Sequence, residues 1–320
     1  MKRPPTGAPE GNASGSATSG ATARVLVIVG VNLALVLVAV ALAYGRGRPP
    51  ELTWDTFALD LLPLSAAMGL VLVCRRLDLS LPALFVLAAA LTSNPHIADG
   101  GPWGRLLVVC GICGSIGLIG ALVTWHGRIS SALWTALVAF LLWRLAKGVM
   151  PAFPGSAVWP PPVALGASLG LLLAGAALLG AARLVLPPSR PPILPSGWRG
   201  LPGLAAAWII AAVALALAGG AEAPRALVKD PLAIYAPALA AAALGGAFIL
   251  RGRWGAPAAV VLTALGHLAW SFVRSADLGD GLLNLVVSAA APLAAIPLYL
   301  VFDWLIRRRT GESAPTGLLA

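Results

Sequence analysis

Few side chains in this sequence could do chemistry, and most of those sit inside long apolar runs. His267, Trp270 and Ser271 are three and four residues apart, which places them on one face of a helix. An imidazole, an indole N–H and a hydroxyl on one face can hold a polar solute, or can satisfy neighbouring helices. Trp143 and Arg144, with Lys147 one turn on, set two cations beside a ring near the end of another run. Such cations either face a lumen or extend to lipid headgroups. Asn32 and Asn284 are lone amides in apolar runs, suited to interhelical hydrogen bonds. Polar groups in hydrocarbon are expensive, so Trp143, Arg144, His267, Trp270, Ser271 and Asn284 are the candidates for lining a path for a polar solute.

Other chemistries find less support. There is no His-Glu-x-x-His, and the three histidines, His96, His126 and His267, lie on separate segments. Cys110 and Cys113 have the CxxC spacing, but inside an apolar run they read as small filler and not as a metal or redox pair. Gly111, Gly114, Gly117 and Gly120 lack the lysine of a phosphate-binding loop and suit close helix contact instead. No metal or nucleotide site is expected in this chain. Glu51, Asp55 and Asp60 in "ELTWDTFALD" are where a membrane glycosyltransferase using lipid-linked sugars would place acids. They form no Asp-Asp or Asp-x-Asp pair and fit a solvated loop as well.

The elements that must position these residues follow from composition. The 320 residues are 59% hydrophobic and 11% charged, with a mean hydropathy of +0.88. Soluble domains carry about 25% charged residues. The expectation is an all-α, polytopic integral membrane protein. Apolar runs predict about ten transmembrane helices, near 24–44, 57–74, 81–97, 105–124, 129–149, 163–182, 201–219, 233–250, 256–273 and 282–305. The third is the shortest. With both termini cytoplasmic, most of the 22 Lys and Arg fall in cytoplasmic segments, whereas Glu51, Asp55, Asp60, Asp99, Glu222, Asp230, Asp277 and Asp280 fall outside. The net charge of +10 is thus explained by topology and requires no nucleic-acid partner. Residues 1–22, rich in Gly, Ala, Ser and Thr, read as a disordered cytoplasmic tail. Residues 23–306 form the transmembrane domain, and 307–320 a cytoplasmic C-terminal tail.

One turn carries more than topology. In "VLVCRRLDLSLPALFVL", residues 71–87, Pro82 suits the first turn of a helix, and Asp78 or Ser80 can cap it. Residues 66–93, "AAMGLVLVCRRLDLSLPALFVLAAALTS", resemble the Gly-Ile-Asp-Leu-Ser-Val-Gly turn and flanking spans of ABC-transporter permeases of the ribose and branched-chain-amino-acid class. Asp78, Leu79 and Ser80 fall at the corresponding structural turn. Residues 114–149 and 236–266 resemble the family's Gly-rich span with its basic turn and its late Gly-Gly and Gly-Arg-Gly segment, in the same order. The sequence departs from the pattern at Arg76, where the family has glycine, and at Leu81-Pro82.

The resemblance implies a bacterial inner-membrane permease subunit for a sugar, nucleoside or branched-chain amino acid. Its partners would be a second permease subunit, an ATPase subunit that binds ATP, lipid, and an external solute-binding protein. It also implies that the loop with Arg183, Arg190, Trp198 and Arg199 couples to the ATPase. That loop, "RLVLPPSRPPILPSGWRG", has five prolines and no acidic residue, which a regular coupling helix would not tolerate. A membrane anchor or regulatory subunit that keeps the permease fold is the alternative.

Overall fold

The computed structural model describes residues 13–45, 59–74, 76–94, 96–97, 101–126, 130–149, 160–182, 201–220, 232–251, 254–276 and 281–310. Among them the only regular structure is helical. Ten α-helices form where the ten apolar runs lie: α1 Ala13–Gly45, α2 Leu62–Val73, α3 Leu81–Thr92, α4 Gly101–His126, α5 Ser131–Val149, α6 Pro161–Ala181, α7 Leu201–Gly219, α8 Leu232–Leu244, α9 Gly255–Ser275 and α10 Gly281–Thr310. Seven of them, α1, α4, α5, α6, α7, α9 and α10, are long and apolar enough to cross a membrane. The chain is a multi-pass helical membrane protein. Boundaries differ from the sequence reading: α3 ends at Thr92 and α8 at Leu244, α10 runs on to Thr310, and α1 begins at Ala13, inside the segment expected to be a disordered tail. Once the apolar span nucleates the helix, adding small residues such as Ala costs little.

The other three helices are short. α2 and α3 have 12 residues each and α8 has 13. At 1.5 Å per residue each rises about 20 Å, against a hydrocarbon core of about 30 Å. A 3-10 turn, Leu59–Leu61, leads into α2, and another, Ala247–Ile249, follows α8. Two of them are also among the most enclosed. Every residue of α2 except Leu72, and every residue of α3 except Leu91, is buried. Around them α2 packs on α9, α7 and α8, and α3 packs on α5 and α7. α4 and α6 cover α7 from outside, and α1 and α10 cover α9 and α8. Thus α2, α3, α7 and α9 form an inner layer, while α1, α4, α5 and α10 present leucines and other large apolar side chains outward.

Small residues let the layers approach. A Cβ on Gly120 of α4 would sit 2.5 Å from the Trp208 ring of α7. Gly117 and Gly120 therefore serve close helix contact, whereas a Cβ on Gly111 would meet nothing within 4 Å. Gly246 adopts φ +55° and ends α8, a conformation that L side chains rarely take. The break leaves the Leu244 carbonyl without a helical donor. Asn32 Nδ2 of α1 (2.9 Å) and Tyr299 OH of α10 (2.8 Å) both donate to it. Non-helical backbone inside a membrane protein needs such partners.

Candidate functional site

Helix α5 has one buried stripe, Ser131, Thr135, Ala139, Leu142 and Ala146, which faces its neighbours. It reaches α8 through Trp143, whose ring centroid lies 6.3 Å from that of Tyr235 with the planes tilted by 49°. Beside this contact a cavity of ≈ 440 Å³ opens, walled by Leu79, Phe140, Trp143, Arg144, Lys147 and Tyr235. Ala136 and Ala139 complete the lining and leave the space open. Phe140, Trp143, Arg144 and Lys147 follow one another at helical spacing, so a single face of α5 supplies two rings and two cations. The Arg144 guanidinium lies 5.7 Å from the centre of the Phe140 ring. The volume lies within the range of small-molecule sites, about 300–1,000 Å³.

The second group singled out from sequence lies elsewhere. His267 is fully buried on α9, and its Nδ1 is 2.8 Å from the Ser65 hydroxyl of α2, which is fully buried as well. A serine beside a histidine can be a nucleophile and its base. Here neither belongs to the cavity lining, and both are sealed from solvent, so the pair joins two inner helices. Trp270 Nε1 donates to the Ser288 carbonyl of α10 at 3.0 Å, and the Arg274 guanidinium sits 5.3 Å from the Trp270 ring centre. Ser271 is buried, and its hydroxyl has no hydrogen-bond partner among the described residues. The structure therefore places Trp143 and Arg144 in the cavity and His267, Trp270 and Ser271 in the packing around α9. It does not bring the five described candidates into one site. The side chain of Asn284 lies outside the described residues, as do Arg183, Arg190, Trp198 and Arg199.

The turn between α2 and α3 forms one end of the cavity through Leu79. Asp78 organises it: Oδ1 accepts from the Ser80 backbone N–H at 2.7 Å and from the Ser80 hydroxyl at 2.5 Å. The Leu81 backbone N–H donates to the same carboxylate. Ser80, the residue preceding α3, is helical in backbone and makes no capping bond of its own. Of the two residues expected to cap α3, Asp78 is the acceptor and Ser80 a donor. Burial pushes the Asp78 carboxyl up to about 6, against the opposing pull of these donors. Thr135 of α5 ties the turn to the cavity wall, accepting the Leu79 N–H at 3.0 Å.

A charge cluster escaped the sequence reading. Asp303 of α10 is buried, and Arg24 Nε of α1 donates to its Oδ1 at 2.8 Å. Arg251, after α8, approaches Oδ2 at 3.3 Å, and Arg307 contacts the same oxygen. Arg24, Ile28 and Asn32 lie four apart on α1, as do Tyr299, Asp303 and Arg307 on α10. The two stripes close on the α8–α9 turn, with Ile28 against Gly246 and the charges beneath. The available signal was one acid inside the last apolar run, a turn before the triple arginine.

Neither a family model, nor a curated protein, nor a solved structure matches the chain. The permease resemblance thus rests on the sequence motifs themselves.

Proposed function

We propose that this chain is the permease subunit of an ABC transporter in a bacterial cytoplasmic membrane. In this reading it has ten spans with both termini inside, and it pairs with a second permease copy or paralogue. A separate ATPase subunit supplies ATP hydrolysis, and an external binding protein delivers a small polar solute. The observation that carries the reading is the near-complete burial of the two short helices α2 and α3, each 12 residues, among longer ones. Interrupted helices at membrane depth are tolerated only inside protein, and in transporters they frame solute sites. Around such a site the α2–α3 and α8–α9 hairpins would rock against the outer helices, exposing the cavity to each side in turn. Trp143 and Arg144 would contact solute, whereas the Ser65–His267 pair would hold the moving inner helices together.

A second reading, an anchoring or regulatory subunit with this fold, is favoured by the coupling-loop segment, whose five prolines and lack of any acid do not suit an ATPase-docking helix. One experiment separates them. The tagged protein is purified in mild detergent from its native membrane, and mass spectrometry identifies its companions. A stoichiometric subunit carrying Gly-x-x-x-x-Gly-Lys-Ser/Thr is expected. A stable complex without an ATPase would replace the transporter by the anchoring subunit.

A further inference from the structure

The cavity between α5 and α8 has a charge imbalance that the permease reading leaves unexplained. Arg144 and Lys147 both line it, and no carboxylate among the described residues lies within ion-pair distance of either. Asp78, adjacent to the lining residue Leu79, is occupied by Ser80 and Leu81. A cation in the last turn of a helix complements its dipole, which accounts for Lys147. That effect does not account for Arg144, which is held over the Phe140 ring at the cavity wall. Under the proposed topology both cations also approach the outer face, where Lys and Arg are disfavoured. Trp143 stands beside them on the same face of α5, tilted against the Tyr235 ring of α8.

We propose that this cavity binds an anionic solute, one with a carboxylate or phosphate group next to an apolar ring or chain. Arg144 and Lys147 hold the oxyanion, the guanidinium through paired N–H donors and the ammonium as a point charge. Trp143 and Tyr235 cover the apolar part. The inference rests on the permease reading and narrows its solute from small and polar to small and anionic.

The test uses full-length protein in nanodiscs of zwitterionic phosphatidylcholine, titrated calorimetrically with phenyl phosphate and, as the neutral control, benzyl alcohol. Saturable binding of phenyl phosphate alone is expected. Arg144→Gln and Lys147→Gln should each weaken it about ten-fold, and Lys147→Arg should largely restore it. Both positions are exposed, so unchanged thermal unfolding will show that the variants fold, and Trp143→Leu gives an independent loss from the apolar wall. Absence of binding, or binding that survives the double glutamine variant, overturns the proposal. So does a variant that only loses retained phosphatidylglycerol in native mass spectrometry while the wild type ignores phenyl phosphate, since that identifies a headgroup site. Phenyl phosphate binding by a protein that purifies without an ATPase would uphold the anion site and overturn the permease assignment, so the two fail separately.

Discussion

A single carboxylate organises the turn that closes one end of the cavity. Asp78 accepts from Ser80 twice and from Leu81, donors that would otherwise be left unmatched at the start of α3. Asp78→Ala removes that acceptor and should destabilise the protein by about 2 kcal/mol, read as a lower unfolding midpoint in detergent. Its carboxyl is raised from an ordinary 3.8 to about 6. Between those values the folded chain keeps a proton that the unfolded chain releases, so stability should fall as pH rises through this window. Asp78→Asn should flatten that dependence, and an unaltered pH profile would remove Asp78 from the account. The turn itself was legible, because Pro82 and a short polar stretch between apolar runs admit little else. Which residue caps α3 was not. Asp78 and Ser80 are both common capping types, and only the backbone angles around Ser80 separate acceptor from donor.

The helices were legible as elements because each apolar run is long and sharply bounded, but their depth in the bundle was not. In water a buried face contrasts with a polar one. In lipid both faces are apolar, so periodicity does not tell which side packs against protein. α3 and α6 are both charge-free runs rich in Leu and Ala, yet α3 is enclosed and α6 exposes Val163, Leu173 and Leu178. The same blindness hid the clamp formed by α1 and α10 on the α8–α9 turn, since Arg24 and Arg307 resembled ordinary cytoplasmic charges. Asp303→Asn leaves the buried Arg24 without its carboxylate and should cost about 3–5 kcal/mol. Limited proteolysis would show α1 and α10 released together before the inner helices. If the variant unfolds at the wild-type midpoint, the ion pair contributes nothing net.

At the scale of the molecule, the ten-span arrangement makes a prediction about sides. In a variant whose Cys74, Cys110 and Cys113 are replaced, Ser189→Cys should react with an impermeant maleimide only after the membrane is opened. Ala221→Cys should react in intact cells. Reaction of both from the same side would end the ten-span topology. The layering also bears on biogenesis. The helices that enclose α2 and α3 include α7 and α9, which emerge from the ribosome long after them. Two short segments must therefore wait in the membrane, or beside the insertion machinery, for partners not yet synthesised. The N-terminal half should then be degraded when expressed alone and rescued by co-expression of residues 201–320, so that the quality-control window of this protein stays open until its last helices arrive.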